Sequence, residues 1–165
     1  MSLFEKNNTS QITEKDMRIL DEFFRRRAIF DEYVNDKTLS LHTCPSCAYP
    51  TLAYRGQYEI CSICDWEDDG QDDPTADEIL GGPNSNLSLT ASRLEIGRTL
   101  QKLTETLNGT INVNPDEVLD ILIERDKTIL SFEKDKITMT TNVREPVWKE
   151  LAQLKENTLS AFIKI

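Results

Sequence analysis

Residues 43–66 read TCPSCAYPTLAYRGQYEICSICDW and hold every cysteine of the chain. Cys44, Cys47, Cys61 and Cys64 are spaced C-x2-C-x13-C-x2-C. A C-x2-C pair can place two thiolates on one metal ion from a single tight turn, and two such pairs close a tetrahedral site. The 13-residue spacer allows a short hairpin that returns the second pair to the first, which is the zinc-ribbon arrangement. A closed four-thiolate site leaves no position for water or substrate. The expected cofactor is therefore one structural zinc ion, whose binding energy is folding energy.

Other uses of the cysteines are weighed against this. Two disulfides would need an oxidising compartment, and the opening MSLFEKNNTSQITEKD lacks the basic-then-apolar pattern of an export signal. A redox CPxC motif would need a preceding strand in a βαβ unit, whereas Cys44 follows a polar loop. Iron could occupy the same four sulfurs. His42, the only histidine, lies two residues before Cys44 and reads as a surface neighbour, since four cysteines already complete the site.

Within the spacer, Thr51–Tyr54 and Tyr58–Ile60 read as strands joined by a turn at Arg55-Gly56-Gln57. Beyond the last cysteine the chain turns acidic. Asp65, Glu67, Asp68, Asp69, Asp72, Asp73, Asp77 and Glu78 fall within residues 65–80 with no basic residue among them. Residues 44–86 carry a net charge of −8, the rest only −2, of a total of −10. Three uses compete for this segment. It is a solvated loop, a docking face for a basic protein, or a carboxylate site for a hard cation. Clustered like charge steers a complementary partner and sharpens specificity. Asp68-Asp69-Gly70-Gln71-Asp72 lacks the alternating ligands and terminal Glu of a calcium loop. The candidate partner-binding set is Asp65, Trp66, Glu67, Asp68, Asp69, Asp72, Asp73, Asp77 and Glu78, although Trp66 more naturally packs over the ribbon.

Helices flank this centre. Thr13-Glu14-Lys15-Asp16 reads as a cap opening a helix over about 13–35, with Met17, Leu20, Phe23, Phe24, Ala28 and Tyr33 at roughly helical spacing. Of Arg25, Arg26 and Arg27, two are expected in solvent and one paired with an acid. Residues 1–11 read as frayed. A second helix opens near Ser88 and runs to about 107, with Gly109 just past its end. Asn114-Pro115-Asp116-Glu117 carries a capping box for a helix to about Arg125. Thr128–Phe132 and Lys136–Thr141 read as a hairpin, and a last helix follows Pro146 with Val147, Trp148, Leu151 and Leu154. The tail 159–165 suits either helix or strand.

The stretch from Thr43 to Arg93 resembles the CPCC family of cysteine-rich bacterial proteins. Matching pieces are Cys44-Pro45-Ser46-Cys47, Tyr58-Glu59-Ile60-Cys61-Ser62-Ile63-Cys64, Trp66-Glu67-Asp68-Asp69-Gly70, Gly82-Pro83-Asn84, Leu87-Ser88-Leu89, Ala91 and Arg93. Ser46 stands where the family's name leads one to expect a third cysteine, Ala48 where a glycine is usual, and Asp65 where an aromatic is usual. The resemblance implies a small zinc-binding domain, of a kind found in bacterial proteins sometimes encoded near toxins. It implies no activity.

These readings give an α+β protein. A zinc-ribbon module is flanked by helices and followed by a C-terminal helix–β-hairpin–helix section. The sections are 1–39, 40–93 and 94–165, expected to form one compact unit. No apolar run reaches the ~18 residues of a membrane span, and the acidity disfavours nucleic acid and anionic lipid. No nucleophile pairs with the lone histidine, so no catalytic residue is assigned. The expected function is non-enzymatic binding of a basic protein in the cytoplasm. In its sharpest form this is an immunity protein that neutralises a cognate bacterial toxin, such as a nuclease. The rivals are a ribbon accessory to a nucleic-acid or transcription complex and a metal-dependent hydrolase using the acidic segment.

Overall fold

The computed structural model describes residues 12–138 and 144–165, with side chains described over 12–133 and 149–165. The expected frayed stretch 1–11, the end of the expected hairpin at 139–141, and the side chains of Val147 and Trp148 lie outside the described residues. The chain divides into two compact units, one ending at Thr99 and one starting at Leu100. Among the described residues it is an α+β fold of four helices and two small two-stranded sheets.

In the first unit, helix α1 spans Glu14–Asp36. A capping box starts it: Asp16 N–H donates to Thr13 Oγ1 at 3.1 Å, and Thr13 N–H donates to the Asp16 carboxylate at 3.2 Å. Its buried residues are Asp16, Ile19, Phe23, Arg26 and Phe30, a stripe stepped by three and four. The expected apolar face is thus rotated. Met17 and Phe24 are about half exposed, and the stripe runs through Ile19, Arg26 and Phe30 instead. This face packs on the sheet of β1, His42–Thr43, and β2, Pro50–Leu52, which pair antiparallel.

The sheet differs from the expected hairpin. Strand β2 turns back to β1 around Cys44–Tyr49, while Tyr58–Cys61 pairs with Trp66–Asp68 through an Ile60–Glu67 bridge. Each C-x2-C pair therefore makes its own chain reversal, and Arg55-Gly56-Gln57 joins two hairpins rather than forming one. Helix α2, Leu89–Leu107, starts at the expected place, with Ala91 N–H donating to Ser88 Oγ at 3.0 Å. A Cβ on Gly97 would run into Ile19 of α1, so only glycine lets the two helices approach this closely.

The second unit holds the end of α2, then β3, Thr110–Ile111, α3, Pro115–Thr138, α4, Arg144–Ala161, and β4, Ile163–Lys164. Helices α3 and α4 pack together, and β3 pairs antiparallel with β4. Asn114 caps α3 as expected, accepting from Asp116 and Glu117 N–H. The Glu117 carboxylate turns instead to Asn112 Nδ2 at 2.7 Å, so the box is not reciprocal. The expected hairpin at 128–138 is absent, because α3 continues through it to Thr138. The β-branched residues there are overridden by a helix already propagating, which adds one hydrogen bond per residue fixed. The tail is both elements read for it: α4 ends at Ala161 and β4 follows. Buried Leu100, Val118, Leu122, Leu159 and Phe162 supply this unit's core.

Candidate metal centre

Two knuckles with one backbone design make the site. In the first, Ala48 N–H donates to Cys44 O at 2.9 Å and Cys44 N–H to Tyr49 O at 2.9 Å. In the second, Asp65 N–H donates to Cys61 O at 2.8 Å and Cys61 N–H to Trp66 O at 2.8 Å. Ala48 (φ 71°) and Asp65 (φ 65°) take the same left-handed conformation, which turns the chain after the second cysteine of each pair. The aromatics that follow, Tyr49 and Trp66, are both buried beneath the ribbon.

All four sulfurs lie within 4.8 Å of one another. Cys44 Sγ is 3.6 Å from Cys64 Sγ, and Cys47 Sγ is 3.7 Å from Cys61 Sγ. A tetrahedron with metal–sulfur bonds of about 2.3 Å has edges of about 3.8 Å, so these donors fit one ion. The cysteines are free thiols rather than disulfides. Exposed His42 is not part of the group.

The electrostatics also call for a cation. Burial pushes the Cys44 and Cys47 thiols well above the usual thiol range. Hydrogen bonds from Cys44, Cys47 and Cys64, then Thr51, pull Cys61 well below it. Four thiols crowded together out of water can all ionise only against a bound cation, the charge a metal ion supplies. Further donors reach the sulfurs. Ser46 N–H points to Cys44 Sγ at 3.4 Å, and the Thr51 hydroxyl lies 3.0 Å from Cys61 Sγ.

Two buried arginines hold the first knuckle. Arg26 of α1 donates from Nε to Cys47 O at 3.0 Å, with its guanidinium 5.2 Å from the Tyr49 ring. Burial pushes the Tyr49 hydroxyl up to about 12. Arg93 of α2 donates from Nε to Pro45 O at 2.8 Å and lies 4.3 Å over the Phe23 ring. Both are 2% exposed. The expectation of two solvated arginines among Arg25, Arg26 and Arg27 holds only for Arg25, because Arg26 satisfies a buried carbonyl.

The acidic segment is largely tied inward. Asp68, fully buried, receives Arg55 Nε at 2.9 Å, Gly56 N–H at 2.7 Å and Gly70 N–H at 3.2 Å. Asp72 receives Arg55 Nη1 at 2.9 Å and both terminal nitrogens of Arg27, at 2.7 and 2.9 Å. Burial alone would raise the Asp72 carboxyl, but hydrogen bonds from Arg27 and Arg55 hold it well below the usual carboxylate range. Asp73 receives Arg93 Nη2 at 2.6 Å.

The partner-binding set therefore needs correction. Trp66 is 2% exposed and Asp68 fully buried, so neither can touch a partner, while Asp72 and Asp73 are engaged by arginines. Asp65, Asp77 and Glu78 are exposed, and Glu67 and Asp69 partly so. Glu67, Asp69, Asp77 and Glu78 meet no lysine or arginine among the described residues. Among the described residues, the four cysteines are the group placed to hold a metal ion.

Residues 42–99 match the cysteine-rich CPCC family. No curated protein and no solved structure matches the chain. The CPCC segment's remaining motif residues have structural tasks. Asn84 clamps the backbone of Glu67, donating from Nδ2 to its carbonyl at 2.8 Å and accepting its N–H at 3.1 Å. Ser46 is fully buried and hydrogen bonded to the Ser92 hydroxyl. Hence Asn84 and Ser46 of the matched segment brace the ribbon.

Proposed function

We propose that this chain is a non-enzymatic zinc protein of the cytoplasm that binds a basic protein. In its sharpest form it is an immunity protein that blocks a cognate toxin, such as a nuclease with a cationic active site. The observation that supports it is the charge left over after internal pairing. Arginines neutralise Asp68, Asp72 and Asp73, yet Glu67, Asp69, Asp77 and Glu78 remain with no cationic partner among the described residues. Uncompensated charge on a metal-fixed scaffold suits electrostatic steering of a cationic surface. Zinc is the proposed ion because four thiolates in a closed tetrahedron match its ligand preference. Metal analysis of purified protein should give one zinc per chain, whereas iron would reveal itself by thiolate-to-metal absorption in the visible.

Co-expression with the toxin encoded by a neighbouring gene tests the partner. Growth should be rescued by the wild type and lost when Glu67, Asp69, Asp77 and Glu78 are replaced together by lysine, with zinc content unchanged. Rescue that survives this fourfold reversal, or a neighbour that is not toxic, defeats the immunity reading.

A further inference from the structure

The two knuckles are equivalent in backbone, so their outward faces can be compared position by position. The residue before the first cysteine is Thr43, which is buried and bonded through its hydroxyl to Asp31. The residue before the third cysteine is Ile60, and it is 60% exposed. The polar residue is inside and the apolar one outside, the reverse of what burial would select. Ile60 is not alone. Tyr54 is 67% exposed and Tyr58 59%, so three large apolar side chains project within seven residues of a metal-fixed hairpin. Single exposed hydrophobics are ordinary, but a local set of three on a rigid element marks a contact surface.

The charge around this set is one-sided. Ile60 bridges to Glu67 across the hairpin, which places their side chains on one face. Glu59, between Tyr58 and Ile60, folds its carboxylate onto Ala53 N–H at 2.8 Å, beside Tyr54. The one basic residue of the segment 44–86, Arg55, is spent on Asp68 and Asp72. Exposed tyrosines edged by a carboxylate, with the segment's one arginine already engaged, complement a guanidinium. It can stack flat on a phenol ring while its fork meets a carboxylate, and lysine can do only the second.

We infer that the outward face of the second knuckle, where Tyr54, Tyr58 and Ile60 are exposed beside Glu67, is the docking surface for an arginine-bearing segment of a basic protein. This rests on the basic-partner reading above and assigns it a different surface from the acidic run at 69–78. Such tyrosines would act as anchors, and the Glu67 carboxylate would set orientation and salt dependence.

The test is a titration of isotope-labelled, zinc-loaded full chain at low salt with a capped arginine-rich peptide, followed by backbone amide shifts. A matched lysine peptide is the control. Shifts should centre on 53–61 and 65–67, and the lysine peptide should bind more weakly. Tyr54→Ala combined with Tyr58→Ala should weaken arginine-peptide binding about tenfold. Both side chains are exposed, and unchanged zinc content will confirm that the variant folds. Binding that persists in this double variant but is lost in Asp69→Asn/Asp77→Asn/Glu78→Gln overturns this surface and leaves the basic-partner reading standing. Binding by neither peptide overturns both.

Discussion

In the first knuckle Cys44 N–H reaches the Tyr49 carbonyl, and in the second Cys61 N–H reaches that of Trp66, at 2.9 and 2.8 Å. The turns that follow are left-handed at Ala48 and Asp65 alike. What packs on these two backbones is not alike. Arg26 and Arg93 take the Cys47 and Pro45 carbonyls from two helices, and Cys44 and Cys47 are fully buried. In the second knuckle Cys64 is partly exposed, Asp65 is exposed, and Ile60 points outward. One metal ion would bind both knuckles, and Cys61, Ile63 and Trp66 are buried in the second, but the helix arginines clasp carbonyls of the first. The same turn thus serves as an anchor on one side and as a presenting element on the other.

The largest expected effect is one in which the knuckles do not differ. Cys47→Ser and Cys61→Ser should each abolish stoichiometric zinc and unfold the ribbon, because structural zinc contributes on the order of 10 kcal/mol, comparable with a whole domain's stability. Metal analysis and circular dichroism check this. If Cys61→Ser retained one zinc per chain, the second knuckle would not be a partner in the site.

The next effect separates them. Arg26→Met or Arg93→Met strands a buried knuckle carbonyl and should cost about 2–3 kcal/mol in denaturant unfolding of the zinc-loaded protein. Ile60→Ser, at the face of the second knuckle, should stay within about 0.5 kcal/mol. Equal losses would show that the second knuckle is cemented as firmly as the first.

These arginines also mark where sequence reading stops. The cysteine quartet was legible because C-x2-C spacing is itself geometry. The caps at Thr13, Ser88 and Asn114 were legible because each satisfies local N–H groups. Arg26 was not, since a charge inside a helix reads as solvated. The signal was its place in the stripe 16, 19, 23, 26, 30, while Met17 and Phe24 mark a neighbouring face that stays half exposed. Arg93 carries no local signal beyond a family motif, and its carbonyl partner lies 48 residues away. The strands at 51–54 and 58–60 were placed near the right residues but paired wrongly, because the knuckles, not Arg55-Gly56-Gln57, reverse the chain. The acidic run read as a surface because its three arginine partners come from positions 27, 55 and 93, none of them within it.

Arg55 and Asp72 are the joint between anchor and presenting knuckle, and their strength is readable from pH. The Asp72 carboxyl is held below its usual range in the fold, so it stabilises above the unfolded value of about 3.9 and that contribution is lost as pH falls below it. Asp72→Asn should cost about 1 kcal/mol at neutral pH, after allowance for partial exposure. Its difference from wild type in urea unfolding should shrink steadily from pH 5 to pH 3. Competition of protons for the thiolates affects both proteins and cancels in the difference. A gap independent of pH would mean that Asp72 acts by shape and not by charge.

The smallest effect isolates packing from backbone strain. Ala48 and Asp65 share a left-handed φ, 71° and 65°, so a glycine relieves similar strain at either, about 1 kcal/mol for a non-glycine residue. Burial differs: the Ala48 methyl is fully enclosed, whereas Asp65 is exposed. Losing a buried methyl costs about 0.8 kcal/mol, which offsets most of the gain. Ala48→Gly should therefore leave stability nearly unchanged, and Asp65→Gly should raise it by about 0.5 kcal/mol, both read from denaturant midpoints of zinc-loaded protein. A larger gain at Ala48 than at Asp65 would mean that the first knuckle carries more strain than the shared φ suggests, and that its helices hold it against the turn rather than in it.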